Sequence, residues 1–338
     1  MKGEEPVATS EDGSRIRARR FDADRHDEVL DLDAALGATP SERQLLWIDI
    51  TGPMPDGLAA RLTEAFGLDE ATAEALDASI REPTLSVHGS YLHVTVIAEP
   101  DPMQPRQSPW LTAVAAPNAV VTRHQEPIAF LDDLDDQVEA DTAYGLLDSL
   151  SFLATLLDTA VTSYFRAVDR IEEDIERLDD HSLRDRRQQS LLDDLVEVRT
   201  RIAVLRRLLA GHRFVYAGLE GIAHLEPDDA KAKVTSALAG VGARYTEAMR
   251  AVESARDLVL GSFDVYSTRV AQRTNDTMKV LTLVTVLLLP GSLIAGLLGM
   301  NVVVPLNKDD PTAFWLVVAG VVTLATVITL VARRRGWL

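Results

Sequence analysis

The chain has 338 residues, no cysteine, and 52 Asp and Glu against 34 Lys and Arg, a formal net charge of −18. So acidic a balance excludes a nucleic-acid partner held on a basic face and suits a protein that handles cations or keeps itself soluble. Without cysteine there are no disulfides and no thiolate zinc sites, which leaves the compartment undecided.

Residues 1–20 are polar, with an acidic start and neither the basic opening nor the apolar run of a signal peptide. They are expected to form a disordered tail. Residues 21–141 carry mixed signals. The run 45–50, Leu-Leu-Trp-Ile-Asp-Ile, predicts a strand ending at Thr51-Gly52, and 55–78 follow a helical pattern. Residues 84–87 and 91–97 read as two strands around His88-Gly89-Ser90. Residues 111–115 and 119–124 read as a hairpin turning at Pro117-Asn118. Strands between proline-rich joints beside a helix predict an α+β domain.

The character changes at about residue 142. From 142 to 278 there is one proline, Pro227, and long helices are expected to form a stalk. Asp169, Glu172, Glu173, Asp174, Glu176, Asp179 and Asp180 make an acidic helix. A basic one with Arg199, Arg201, Arg206 and Arg207 follows, so the two predict an antiparallel pair held by charge. The last helix begins after Pro227. Nothing breaks it from Gly242 to Leu289, about 70 Å at roughly 1.5 Å per residue, which suits a funnel better than a compact globule.

Two apolar runs, 280–298 and 313–332, carry no charge over 19 and 20 residues. Each is long enough to cross a hydrocarbon core about 30 Å thick. They define spans at 279–300 and 313–332, a loop at 301–312 and a basic end at 333–338. Arg273 and Lys279 precede the first span, and Arg333, Arg334 and Arg335 close the second. Basic flanks stay inside, so both termini are expected in the cytoplasm of a cell-membrane protein that crosses the bilayer twice.

Two helices cannot enclose a wet path, so a pore requires a symmetric ring of identical chains. Along the first span Met278, Leu281, Thr285, Leu289, Ser292, Gly296 and Gly299 recur at spacings of three and four. Such a stripe can be a close helix-packing surface. It can equally line a pore, with apolar rings inside and Ser292 and glycine backbone outside, and Pro290-Gly291 could free carbonyls there.

Gly299-Met300-Asn301 directly after a first span, with a second span following at once, resembles the CorA family of divalent-cation channels. The similarity includes Tyr144-Gly145-Leu146-Leu147-Asp148, Asp264-Val265-Tyr266, Thr274-Asn275 and Met278-Lys279-Val280-Leu281-Thr282. It continues through Pro290, Ile294-Ala295-Gly296 and Gly336-Trp337-Leu338. It covers about 142–338 and is architectural before that. The resemblance implies a funnel-shaped homopentamer: an α+β cytoplasmic domain, a long helical stalk and two transmembrane helices. It implies that Asn301 forms an outer ring holding the water shell of Mg²⁺, with Gly299 and Met300 beside it and Gly296 and Ser292 supplying oxygens further in. Leu289, Leu281 and Met278 would be apolar gate rings and Asn275 a polar ring at the inner entrance. Mg²⁺ would be both cargo and regulator, with Co²⁺ and Ni²⁺ as further cargo. Asp264 would hold a regulatory Mg²⁺ between subunits, with Glu99 or Asp101 of the neighbour as partner. The chain departs from the family after the motif, where Val302 to Lys308 contains no acid before Asp309 and Asp310. That keeps a zinc transporter of the same fold, and a non-conducting membrane-anchored sensor, as alternatives. The seven histidines make no HExxH and no close cluster, His88 and His93 read as strand or turn residues, and no residues for enzymatic chemistry stand out.

Overall fold

A computed structural model of the chain describes residues 8–9, 13–24, 26–78, 81–137, 147–184, 188–225, 232–299 and 311–335. The chain divides into two compact units, Met1–Leu260 and Gly261–Leu338.

The first unit is built on eight strands: β1 (Ala8–Thr9), β2 (Arg15–Asp22), β3 (Glu28–Leu30), β4 (Gln44–Thr51), β5 (Thr84–Val87), β6 (Leu92–Ile97), β7 (Trp110–Ala116) and β8 (Ala119–His124). Their order is β1-β2-β4-β8-β7-β6-β5, with β3 on β2. The β4–β8 pair is parallel and every other pair antiparallel. Alternation sends side chains to opposite faces. On one face Ile16, Ala18, Leu46, Ile48, Ile50, Val114 and Val121 pack with Ala35, Leu58, Leu62 and Leu76. Those last four come from α1 (Leu32–Gly37), α2 (Leu58–Phe66) and α3 (Glu70–Asp77). On the other face Phe21 and Trp47 meet Phe152 of α5 (Ser149–Arg184), with ring centroids 5.9 and 6.0 Å from it.

The structure corrects two expectations. Residues 15–20, expected in a disordered tail, are the first six residues of β2, and Ala8 pairs with Ile16. The strand looks polar because its α5 side is made of arginines. Arg17 Nη2 lies 2.7 Å from Asp49 Oδ2 in β4, and Arg17 Nη1 lies 2.7 Å from Asp132 Oδ1 in α4 (Ala129–Gln137). Arg19 Nε donates to Asp135 Oδ1 at 2.8 Å. Thr122 Oγ1 donates to Asp49 Oδ1 at 2.5 Å, and His124 Nε2 stands 3.1 Å from the same oxygen. Burial alone would raise the Asp49 pKa, but His124 and Arg17 hold it down at about 2. Burial would lower that of His124, but Asp49 outweighs it and raises it. The second correction is the helix at 55–78. Gly67, at φ 65°, ends α2 with its N–H on the Thr63 carbonyl, and Asp69 Oδ1 then caps α3 by accepting from Thr72 N at 2.7 Å.

The rest of the unit is helical. Acidic α5 packs on basic α6 (Gln188–Gly211), and Arg201 pairs with Asp174. His212, before α7 (Arg213–Leu225), ties helices to sheet. Its Nε2 accepts from Ile97 N at 2.9 Å while Nδ1 donates to the Leu208 carbonyl at 2.7 Å. Burial lowers its pKa to about 4, so it stays neutral. Helix α8 (Ala232–Gly299) runs 68 residues, about 100 Å at roughly 1.5 Å per residue, and continues through Pro290. In the first unit Tyr245 stacks on Tyr216, centroids 4.7 Å apart. In the second, α8 is followed by α9 (Pro311–Arg334).

Candidate functional site

The second unit holds the most apolar surface. Windows within Val234–Leu297 and Phe314–Arg334 reach mean hydropathies of 2.3 and 2.5 while being 6% and 0% buried. Helices this apolar and this exposed are not core helices of a soluble domain. Within α8 the most sheltered positions beyond Lys279 are Leu283, Leu287, Pro290, Gly291 and Ile294. Gly291 among them adjoins α9, where an added Cβ would lie 3.6 Å from Val321 Cγ1. At about 100° per residue, the stripe Met278, Leu281, Thr285, Leu289, Ser292, Gly296 and Gly299 falls on the opposite side of the helix. All seven are exposed, Met278, Leu281 and Leu289 by 61%, 65% and 60%. Asn275 is exposed one turn earlier.

The hydroxyls on this stripe have a defined polarity. Thr285 Oγ1 donates to the Leu281 carbonyl and Ser292 Oγ to the Leu288 carbonyl, both at 2.9 Å. With the proton committed to the helix, each oxygen presents only lone pairs outward. That is the surface a hydrated cation needs, because its waters donate. Met300, Asn301 and the loop to 310 lie outside the described residues, as do Tyr144 to Leu146 and 336–338.

The candidates for a regulatory metal site occupy different settings. Asp264 is exposed on α8, and its carbonyl accepts from Ser267 Oγ and Thr268 Oγ1. Glu99 and Asp101 follow β6, where Ser163 Oγ donates to the Ala98 carbonyl at 2.7 Å. Glu99 Oε1 accepts from Ala129 N at the start of α4 at 3.2 Å. Asp101 Oδ1 accepts from Met103 N at 2.8 Å and Gln104 N at 3.1 Å. Both acids line a cleft of about 460 Å³ that also holds Arg166, Arg170 and Arg201. Three guanidiniums oppose a divalent cation held by these two acids alone. Among the described residues no group of three or more His, Asp or Glu could hold a metal ion within one chain. Sequence reasoning left His124 and His212 without roles, since their partners are remote in the chain.

Residues 42–334 match the model of the CorA-like Mg²⁺ transporter protein family. The chain belongs to that family. Among its relatives, the cobalt/magnesium transport protein CorA of Thermotoga maritima is 25% identical over 305 residues, 86% of this chain and 83% of that protein. The divalent cation transporter CmaX of Pseudomonas aeruginosa is 28% identical over 320 residues, 90% of each. The complete structure of the CorA magnesium transporter from Methanocaldococcus jannaschii superposes with a TM-score of 0.70 at 20% identity, covering 96% of this chain and 98% of that one. With two apolar, exposed helices, this CorA-like chain is a membrane protein of a divalent-cation transporter family.

Proposed function

We propose that this CorA-like chain is a Mg²⁺ channel, passing Co²⁺ and Ni²⁺ as well, that works as a homopentamer with the α8 stripe facing the shared axis. The exposed stripe opposite the α9 side carries this reading. Seven positions that none of the described elements covers suit a ring of copies. Asn301, with Gly299 and Met300, holds the outer mouth, where amide oxygens bind the water shell of an ion that dehydrates reluctantly. Gly296 and Ser292 offer acceptors below it, and Leu289, Leu281 and Met278 form the apolar gate above a polar Asn275 ring. Both termini lie in the cytoplasm. Cytoplasmic Mg²⁺ bound by Asp264 and the neighbour's Glu99 or Asp101 favours the closed ring, and its loss releases carboxylate repulsion.

The deciding experiment is Mg²⁺ uptake in proteoliposomes. Asn301→Ala is expected to lower uptake at least tenfold, and uptake equal to the parent's sinks the assignment. Asp264→Ala is expected to abolish Mg²⁺-dependent protease protection of the cytoplasmic part while leaving the ring assembled. Because the chain has no cysteine, single cysteines at either end report the orientation directly: both must be labelled only from the cytoplasmic side. A second reading, zinc transport, rests on the acid-free stretch from Val302 to Lys308. Zinc flux without Mg²⁺ flux in the same liposomes selects it.

A further inference from the structure

The α1–α3 face of the sheet is apolar at one end and polar at the other. Beyond Val121 in β8 comes Arg123, which is in register with Thr112 of β7; Thr112 pairs in turn with Thr95 of β6. These three and His93 are all buried, with Arg123 2% exposed. Arg81, half-buried, precedes β5. Among the described residues, Nε and Nη1 of Arg123 and Nε and Nη2 of Arg81 are buried without a hydrogen-bond partner. Neither arginine has a carboxylate within ion-pair distance among the described residues. The nearest acids acting on them, Asp77 and Glu126, are exposed to solvent.

The hydroxyls point the same way chemically. Thr95 Oγ1 donates to Thr112 Oγ1 at 3.2 Å. With its proton so placed, Thr95 can only accept from His93 Nε2, 3.3 Å away. The relay therefore runs from His93 through Thr95 to Thr112, whose own O–H is left to donate beside Arg123. Burial holds the His93 pKa at about 4, so the ring is neutral and can serve as this donor at physiological pH. Burial and the neighbouring Arg81 bring Arg123 down to about 10, which still leaves it charged. Every free group in the patch is a donor, two are cations, and burial of a charge without a counter-charge is costly.

We propose that Arg123, Arg81 and Thr112 form a binding site for a small tetrahedral oxyanion of the phosphate class. Guanidinium forks match such an anion in geometry as well as charge. Arg123 is too deep for a side chain of another protein, so the ligand is small and enters past the half-exposed Arg81. The site lies within the α/β part and is independent of which ion crosses the membrane.

Calorimetric titration of the detergent-purified full chain with inorganic phosphate, at ionic strength held constant with chloride, tests this. One saturable site per chain is expected, with sulfate competing. Arg81→Gln, at the half-exposed position, is expected to weaken binding at least tenfold, and Thr112→Val, which keeps the shape and removes the donor, several-fold. Arg123→Gln is expected to abolish it, with folding checked by circular dichroism. Absence of saturable phosphate binding in the parent, or binding by Arg81→Gln and Thr112→Val equal to the parent's, overturns the proposal.

Discussion

The two faces of the sheet treat buried arginine in opposite ways. On the α5 face Arg17 and Arg19 are enclosed by Asp49, Asp132 and Asp135, with His124 completing the charge balance. On the α1–α3 face Arg123 is as deeply buried, and its neighbour Arg81 adds a second positive charge instead of a negative one. The same side chain thus serves as an internal fastener in one place and as an unsatisfied donor in the other. Only the number of carboxylates that the fold brings to it differs.

Substitutions should separate the two faces by sign. Asp49→Ala leaves His124 buried without its acid and Arg17 with only Asp132 and Asp135, and is expected to cost about 3–5 kcal/mol. Faster hydrogen exchange across β2 and β4 in the purified protein would report it; unchanged exchange would mean that the network contributes nothing. Arg123→Met in oxyanion-free buffer is expected to do the reverse. It removes buried donors that no described residue satisfies, a gain of about 1–3 kcal/mol read as a higher Tm, and a fall in Tm would erase the contrast.

The histidines sharpen the comparison by pH. His124 is raised above its ordinary 6.5, so its contribution is fully present below pH 6.5 and is lost as pH rises through the higher folded value. His93 is lowered to about 4, so its contribution is present above pH 6.5 and is lost as pH falls from there through 4. His124→Gln should therefore flatten the alkaline side of a Tm profile and His93→Gln the acid side. Asp49, held at about 2, loses its contribution only as pH falls from about 3.8 toward 2. The smallest effect is expected at the rim, where Arg43 and Asp24 pair in solvent. Arg43→Ala should change stability by less than about 1 kcal/mol in thermal unfolding.

Much of the fold can be read locally. Strands β4 to β8 carry β-branched and apolar runs between turn residues, and Asn118 at φ 55° turns the β7–β8 hairpin where Pro117-Asn118 predicted it. Strand β2 escapes such reading because half of it is arginine, and its neutralising acids lie 32 to 118 residues away. The break at Gly67 escapes it because the helical pattern resumes within three residues.

Family membership, the two apolar helices and the stripe from Met278 to Gly299 were determined by sequence alone, since hydropathy and helical period are properties of neighbouring residues. Tertiary structure decided which side of α8 turns to α9, what surrounds Glu99 and Asp101, and which buried arginines find an acid. Those outcomes depend on groups that meet only after the sheet has formed, because electrostatic satisfaction is set by distance in space and not along the chain.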